Sequence, residues 1–407
     1  MPMYSFNPLV HRTMKTYVKV FSALFGLSLL GAGCAAGDTM TGAVTSTSLN
    51  ASGTAMMNVS SSAMMAAPIK LGFIAPLTGE ASSIGLNNRA AAELAVEEVN
   101  AAGGINGRKI EMVYEDGKCA PTDATNAANK LMNVDKVVAI DGAICSSETA
   151  AFAPTAMQNK VIVISPGSSA PSLSNTGKYF FRTYPSDAYQ GKFAAEYAYN
   201  VLKVRKVAVL YHITDWGTGL KDKFVARFQE LGGEITSVEG QPQESRDYRT
   251  SLTKVKDANA DLIYMPLYPD GATVAIKQYH DFGMQMPIYG GDTFADPKLQ
   301  KNIKGLASNV IYSEVVTPAN AEFASKMKAK TNSDQVGIAS PQAYDNVKIL
   351  AAAIAQVGTD PDKLADAIRA MHFQGVSGDV SFDKNGDLTT ANYHVKKIAN
   401  GTATEVK

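Results

Sequence analysis

The sequence predicts an α/β protein with two doubly wound lobes. The chain has 407 residues, which is more than one hydrophobic core usually serves. From Pro68 onward, short β-rich runs alternate with amphipathic stretches, a pattern typical of parallel strands joined by helical crossovers. The alternation restarts after Asp187, so we expect one lobe before this residue and another after it.

Each lobe opens with a series of elements that can be taken in order. The first series is IKLGFIAP (69–76), a helix over 86–102, KIEMVYED (109–116), a helix over 123–133, VVAI (137–140), a helix over 147–158 and VIVISP (161–166). The second series is a helix over 189–202, KVAVLYHI (206–213), a helix over 220–231, EITSVEG (234–240), a helix over 248–257, DLIYMP (261–266), a helix over 271–282 and PIYGGD (287–292).

Charge and histidine spacing argue against two kinds of partner. Lys plus Arg and Asp plus Glu each number 38, and the basic residues form no block, so there is no electrostatic case for nucleic acid. The five histidines show no metal-ligand spacing. We therefore expect no nucleic-acid partner, no metal and no cofactor.

Residues 1–33 have the pattern of a signal peptide. Arg12, Lys15 and Lys19 precede the apolar run 20–30, and small residues follow it. The run is short for a membrane-spanning helix, which needs about 20 residues. A buried core helix is the alternative, but it leaves the basic flank unexplained. The sequence therefore predicts export.

Cys34 resembles the lipidated cysteine of the bacterial lipobox, because it follows small residues at the end of the signal pattern. Gly31 stands where a lipobox usually has Leu, so secretion without a lipid is the alternative. Residues 34–67 consist largely of Ser, Thr, Ala, Gly and Met, with Asp38 as a single charge. Such a composition predicts a flexible tether. We expect membrane contact only through a lipid on Cys34.

Three loops follow strands of the first series and share a Gly and Ser composition: PLTGEASSIG (76–85), DGAICSSET (141–149) and SPGSSAP (165–171). In parallel sheets the carboxyl ends of strands meet at one edge, where helix N-termini present unpaired N–H groups. Small hydroxyl residues there favour a carboxylate or phosphate site. The alternative for Ser146 is a simple helix cap. Glu148 would repel such an anion unless its carboxylate points away.

Cys119 and Cys145 each follow a predicted strand of the first lobe. In an exported chain an even pair at one sheet edge favours a disulfide, which would be worth about 3.5 kcal/mol by loop-closure entropy. Two separate thiols and a metal-binding pair are the alternatives.

These segments resemble the leucine/isoleucine/valine-binding protein family of ABC importers. The resemblance runs from about Lys70 to the end and is carried by IKLGFIAPLTGEASSIG, NAAGGINGRKIEMVYEDGKC, CSSET and SPGSSAP. It implies a type I periplasmic binding protein fold, with three crossover segments between the lobes, and a family disulfide between Cys119 and Cys145. The expected division is lobe 1 at 68–187 plus about 316–375, and lobe 2 at 188–315 plus about 376–407.

The resemblance also implies a ligand site. The positions that match the family's carboxylate-binding groups are Ser146, Gly167, Ser168 and Ser169. Asp292, with Asp187 nearby, matches the acid that receives the α-ammonium, and Trp216 and Tyr268 match aromatic residues that close over the ligand. Ile84 stands where the branched-chain receptors usually have Tyr, and Asp292 is shorter than their usual Glu, so the ligand's side chain stays open.

The resulting expectation is an exported receptor, in the periplasm or cell envelope, that delivers an amino acid to an ABC permease and its ATPase subunits. A receptor of the same fold for urea, a short amide or another small polar solute is one alternative. An exported serine hydrolase using Ser146 or Ser168 is another, although the chain has no G-x-S-x-G motif. WGTGLKD has Asp222 at the third glycine of a dinucleotide fingerprint, and DKNGD (383–387) is predicted to be a turn rather than a calcium loop.

Overall fold

The computed structural model describes residues 67–406. The signal peptide, Cys34 and the tether up to residue 66 lie outside the described residues. Within the described part, each helix is too short or too polar to cross a membrane.

The first sheet is entirely parallel, with strand order β2-β1-β3-β4-β5. The central strands carry almost continuous apolar runs because helices cover both faces of the sheet. The chain leaves β1 on one side to form β2 and then crosses to the other side for β3. Its strands are β1 (Ile69–Ala75), β2 (Ile110–Asp116), β3 (Ala139–Gly142), β4 (Ile162–Ser165) and β5 (Phe180–Arg182).

The second sheet repeats this arrangement and adds two antiparallel strands at one edge. Its order is β14-β13-β10-β9-β8-β6-β7, and β6 to β10 pair in parallel. Its strands are β6 (Lys206–His212), β7 (Glu234–Gln241), β8 (Leu262–Met265), β9 (Ile288–Gly290), β10 (Val310–Val315), β13 (Tyr393–Ala399) and β14 (Thr402–Glu405). A separate hairpin pairs β11 (His372–Gly375) with β12 (Gly378–Ser381).

Helices connect and cover these strands. They are α1 (Ser82–Ala101), α2 (Pro121–Lys130), α3 (Ser146–Gln158), α4 (Asp187–Glu196), α5 (Asp215–Glu230), α6 (Arg249–Asp257), α7 (Pro269–Asp281), α8 (Pro297–Asn302), α9 (Ala321–Thr331), α10 (Ser340–Val357) and α11 (Pro361–Ala370). The segments Leu131–Asp135 and Tyr197–Val201 continue α2 and α4 as π-helical turns, and Pro171–Asn175 and Asp292–Ala295 form 3₁₀ turns.

The chain passes between the two lobes three times, which confirms the predicted fold class. The first passage lies between β5 and α4, and the second lies between β10 and α9. After the second passage, α10 packs against α1 and brings Val347 and Leu350 into the core of the first sheet. The third passage precedes β13.

The predicted last return of the chain to the second lobe, at about residue 376, is too early for the packing of the residues that follow it. Val380, Phe382 and Leu388 all pack into the core of the first sheet. The ring of Phe382 meets that of Phe181 edge-on, with centroids 5.2 Å apart. We therefore propose that the chain returns to the second lobe at about residues 389–392.

Candidate ligand-binding site

A small cavity lies where the carboxyl ends of strands from both sheets face each other. We call it the cleft cavity; its volume is about 40 Å³. This is room for about three water molecules, so entry of a larger ligand requires its walls to move apart. Its lining residues are Ala81, Ile84, Ile144, Cys145, Ser146, Gly167, Tyr184, Trp216, Tyr268, Asp292, Thr293, Ile338 and Ala339.

The cleft cavity brings together most of the residues singled out in the sequence. Ile84, Ser146 and Gly167 line it from the first lobe, and Trp216, Tyr268 and Asp292 line it from the second. Ser168, Ser169 and Asp187 are fully or almost fully buried directly behind this lining.

Ser146 is the first residue of α3, and its hydroxyl connects two of the Gly and Ser loops. The backbone N–H of Ala170 donates to Ser146 Oγ at 3.0 Å, while the N-cap position of α3 belongs to Cys145. The simple cap interpretation of Ser146 is therefore wrong. Because the hydroxyl oxygen is already an acceptor, its proton is available for donation towards the cavity.

The hydroxyl of Ser168 bonds to groups within the protein and stabilises the loop SPGSSAP. Its hydroxyl lies 2.8 Å from Thr149 Oγ1 and 3.1 Å from the carbonyl oxygen of Ala143, and its N–H donates to Ser165 Oγ at 2.8 Å. Both its polar groups are thus used within the protein. In this arrangement Ser168 holds the loop that presents Gly167 and Ser169.

Glu148 is buried between the two cysteine-containing loops rather than at the cavity. Its carboxylate accepts the N–H of Cys119 at 2.9 Å and that of Cys145 at 2.9 Å. Burial raises the pKa of Glu148 to about 7, although these hydrogen bonds oppose the shift. Cys119 and Cys145 are joined in a disulfide with Cα atoms 5.3 Å apart. The carboxylate therefore stabilises the two loops at the disulfide and points away from the proposed anion site.

Asp187 and Asp292 form a pair of buried acids beside the cavity. Ser169 Oγ donates to Asp187 Oδ2 at 2.9 Å, and the Tyr184 hydroxyl donates to Asp292 Oδ2 at 2.9 Å. The other oxygen of each carboxylate is buried and has no hydrogen-bond partner among residues 67–406. Buried carboxylates in this situation are strongly stabilised by a cation.

The two acids have raised pKa values. Burial, followed by the charge of Asp292, raises the pKa of Asp187 well above its ordinary value. Burial raises the pKa of Asp292 to about 6, while the hydrogen bond from Tyr184 opposes the shift. A proton or a ligand cation can therefore compete for the same pair of carboxylates.

The aromatic wall of the cavity is held from behind by a histidine. Trp216 and Tyr268 stack with ring centroids 4.8 Å apart. The backbone N–H of Tyr268 donates to His212 Nδ1 at 3.1 Å, and His212 Nε2 lies 2.9 Å from the hydroxyl of Tyr248. Burial lowers the pKa of His212 to about 3, so the ring stays neutral and can accept from Tyr268. A side chain at Gly291 would have its Cβ 3.1 Å from the Trp216 ring, so the small residue makes room for the indole.

The sequence interpretation missed Tyr184, Ile338 and Ala339. Tyr184 lies three residues before Asp187 in YPSD, a proximity that could have drawn attention to it. Ile338 and Ala339 enter from the loop before α10, which carries no motif.

The segment 383–387 is a turn that contacts the first lobe. Asp383 Oδ1 accepts the N–H groups of Asn385 and Asp387, and Asp387 Oδ1 accepts from Nε of the buried Arg182 at 2.7 Å. The turn interpretation of DKNGD is therefore correct, and Asp387 has a structural partner.

The two-lobed fold and the cavity between the lobes define a protein that binds a small ligand. A family model described as periplasmic binding protein matches residues 68–403, and the chain belongs to this family. The resemblance to the leucine/isoleucine/valine-binding proteins is thereby confirmed. Family membership implies an extracytoplasmic location and a binding role rather than catalysis, so the hydrolase alternative is wrong.

Similar proteins cover nearly the whole folded region. The chain is 30% identical over 361 residues to the leucine-, isoleucine-, valine-, threonine-, and alanine-binding protein of Pseudomonas aeruginosa, covering 87% of this chain and 96% of that protein. An amino acid binding protein of the same organism is 31% identical over 338 residues, covering 81% of this chain and 90% of that protein.

Solved structures show the same fold. A leucine-binding protein of Thermotoga maritima has a TM-score of 0.78 at 28% identity, covering 83% of this chain and 98% of that one. The substrate-binding protein of a branched-chain amino acid transporter from Streptococcus pneumoniae, in complex with isoleucine, has a TM-score of 0.76 at 29% identity, covering 84% and 99%. A solute-binding protein of R. palustris in complex with benzoate has a TM-score of 0.76 at 20% identity, covering 83% and 95%, which supports the fold alone.

Proposed function

We propose that this protein captures an amino acid, branched-chain or otherwise neutral, between its two closing lobes and delivers it to an ABC permease with its ATPase subunits. The observation that carries the proposal is the pair of buried carboxylates, Asp187 and Asp292, opposite a serine-lined helix N-terminus. A zwitterion matches both ends of this arrangement. The names of the relatives from Pseudomonas aeruginosa and the isoleucine complex from Streptococcus pneumoniae support the same ligand class.

The carboxylate end of the ligand would lie at the start of α3. Ser146 can donate its hydroxyl proton, and the first N–H groups of a helix have no partner within the helix. Gly167 lines the cavity with backbone alone, and a side chain there would be crowded because its Cβ would lie 3.0 Å from the carbonyl oxygen of Ile144. Ser169 would contribute through its backbone and through its hydrogen bond to Asp187. The start of α3 suits an anion because its hydroxyl and N–H groups supply donors, while Ser169 connects this end of the site to Asp187 at the ammonium end.

The ammonium end would lie between Asp187 and Asp292. Each carboxylate has one oxygen satisfied by a hydroxyl and one buried oxygen without a partner in the described part of the chain. An ammonium group has three donors and could satisfy both free oxygens. This offsets the cost of burying two negative charges side by side.

The side chain of the ligand would pack against an apolar surface. Ile84, Ile144 and Ile338 line the cleft cavity together with the stacked rings of Trp216 and Tyr268. The cavity is smaller than an amino acid requires, so the lobes must open to admit one. These contacts favour a neutral side chain and leave its length undetermined.

A receptor for urea or a short amide is the second candidate. The raised pKa values of Asp187 and Asp292 favour it, because a protonated carboxyl can donate to a neutral carbonyl oxygen. Such a ligand requires no ammonium.

A calorimetric titration distinguishes the two candidates. Wild-type protein would be titrated with leucine, isoleucine, valine, threonine and alanine, with acetamide and urea, and with 4-methylpentanoate, which is leucine without its amino group. We expect at least one amino acid to bind and 4-methylpentanoate to bind at least about a hundredfold more weakly, because two buried carboxylates lose their cation. Preferred binding of urea or acetamide would instead support the second candidate.

Export belongs to the same proposal. We propose that residues 1–33 direct the chain across the membrane, that Cys34 is lipidated and anchors the protein there, and that the disulfide between Cys119 and Cys145 forms after export. Mass spectrometry of the mature protein would reveal a lipid on Cys34 as an added mass at the new N-terminus. An unmodified N-terminus at or near Cys34 would indicate plain secretion.

A further inference from the structure

A larger cavity lies beside the cleft cavity, close to the passages of the chain between the lobes. We call it the crossover cavity. Its volume is about 510 Å³, which is within the range of small-molecule sites. It shares Tyr184, Ile338 and Ala339 with the cleft cavity, and its remaining walls are distinct.

One wall is a polar face of the second sheet. In the antiparallel ladder of β10 and β13, Glu314 is opposite His394 and Tyr312 is opposite Lys396. Because side chains alternate along a strand, these four lie on one face of the ladder. That face lines the cavity.

The charges on this face compensate each other. Lys396 Nζ forms an ion pair with Glu314, and His394 Nε2 lies 3.0 Å from Glu314 Oε1. An additional charge from a ligand would disturb this balance in a partly desolvated site. The lysine ammonium has three N–H donors, so donors remain after its bond to Glu314.

Gln300 adds an acceptor without a partner. Its Nε2 donates to the carbonyl oxygen of Phe294 at 3.0 Å and to the Tyr312 hydroxyl at 3.3 Å. The side chain is 1% exposed, and Oε1 has no hydrogen-bond partner among the described residues. An unpaired buried acceptor is destabilising, so a donor from a ligand would be stabilising.

The opposite wall comes mainly from segments that pack on the first lobe and includes an apolar patch. Phe323 of α9, Val336 and Pro341 belong to it. The cavity therefore offers an apolar patch facing a polar face that has both a free donor and a free acceptor.

We propose that the crossover cavity is a second binding site, for a small uncharged amphipathic molecule with an amide head group. The head would accept from Lys396 and donate to Gln300 Oε1, and its aliphatic part would pack against Phe323, Val336 and Pro341. The proposal is independent of the ligand assigned to the cleft cavity.

Hexanamide serves as the probe, and its binding is followed by NMR titration. Ala324 and Gln300 line the crossover cavity but not the cleft cavity. We expect Ala324→Phe, which fills the cavity, and Gln300→Met, which removes the acceptor, each to weaken hexanamide binding about tenfold or more. Ala329→Phe on the exposed side of the same helix is the matched control and should bind as wild type.

Asp292→Asn distinguishes the two cavities, because the change is in the cleft and the introduced amide oxygen can still accept from Tyr184. Hexanamide binding should be unchanged in this variant. Loss of binding in Asp292→Asn with retention in Ala324→Phe would place the probe in the cleft and overturn the proposal, as would an absence of binding to wild type. Tighter binding of hexanoate or hexylamine than of hexanamide would overturn the assignment of an amide head.

Discussion

At the scale of single residues, Asp292 determines which ligand charge the cleft cavity can accept. Its Oδ2 is held by Tyr184 and its Oδ1 has no partner in the described structure. If it receives the ammonium, Asp292→Asn should cost about 3 to 5 kcal/mol, or about a hundredfold to several thousandfold in Kd, because a buried charge loses its partner. Calorimetry with the best amino-acid ligand measures this loss.

The matched control for this substitution is a change of ligand rather than of protein. The same amino acid without its α-amino group should bind Asp292→Asn at least as tightly as wild type, because the variant leaves one fewer buried carboxylate without a cation. If the complete amino acid binds both proteins equally well, Asp292 does not recognise the ammonium.

The raised pKa of Asp292 predicts opposite pH trends for binding and for stability. The ammonium requires the ionised acid, so affinity should fall as the pH decreases through about 6. Without ligand, the folded protein holds the proton more tightly than the unfolded chain does. The stabilising contribution of the protonated Asp292 is present at low pH and is lost as the pH rises through about 6.

Titrations and denaturant unfolding between pH 5 and pH 8 test both trends on the same protein. Asp292→Asn should weaken both dependences, while Asp187, whose pKa is also raised, retains part of both, and Glu148, with a pKa of about 7, retains part of the stability trend. If affinity and ligand-free stability change in the same direction with pH in wild type, Asp292 is not the controlling group.

At the scale of elements, the loop after β2 and the start of α3 are joined by the disulfide between Cys119 and Cys145. The bridge spans a sequence separation of 26 residues. By loop-closure entropy, its reduction should lower the free energy of unfolding by about 3.5 kcal/mol. Denaturant unfolding of oxidised and reduced protein measures the difference.

A Cys119→Ser, Cys145→Ser double variant is the control, since its unfolding should not respond to reductant. Intact mass and thiol labelling of nonreduced mature protein report whether the bridge forms. Two labelable thiols in addition to any at Cys34 would contradict it.

The alternation of strands and helices up to PIYGGD was predictable because each element carries its own periodicity, except for the three-residue strand β5, which is too short to show one. Boundaries shifted where capping decides them: α5 begins at Asp215 rather than at 220, since Thr214 Oγ1 accepts the N–H of Gly217. The elements after residue 292 were not predicted. The pairing of β10 with β13 and the return of Phe382 to the first core depend on contacts between segments far apart in sequence.

The residues of the candidate site likewise divide into those that stand out in the local sequence and those that depend on distant contacts. The Gly and Ser loops and the two acids stand out locally, and the resemblance assigned them roles. Tyr184 lies in the first passage between the lobes and Ala339 in the loop before α10, so only the assembled fold places them at the cavity.

At the scale of the whole molecule, two polar contacts join the lobes at the rim of the cleft. Arg246 Nη2 pairs with the buried Glu80, and Gln243 Nε2 donates to the carbonyl oxygen of Cys119 at 3.5 Å. Opening of the lobes, as proposed for ligand entry, would break both contacts. Arg246→Gln should therefore weaken ligand binding by about fivefold, the equivalent of about 1 kcal/mol for a partly exposed ion pair.

Arg249→Gln provides the matched control, because Arg249 pairs with the neighbouring Asp247 and both side chains are exposed. Calorimetry should show wild-type affinity for this variant, and small-angle scattering of ligand-free protein should show a larger radius of gyration for Arg246→Gln alone. Equal affinities for both variants would mean that the ion pair does not stabilise closure.

The chain contains a single tryptophan, and that residue forms part of the wall of the cleft cavity. Trp216 is 4% exposed and stacked on Tyr268, so opening of the lobes changes its contact with water. The tryptophan emission of the protein, excited selectively over that of tyrosine, therefore reports on one place only. Mixing with ligand in a stopped-flow fluorimeter should give an emission change whose rate follows closure, without any attached dye. A ligand that binds by calorimetry and leaves the emission unchanged would show that the indole does not sense the cleft.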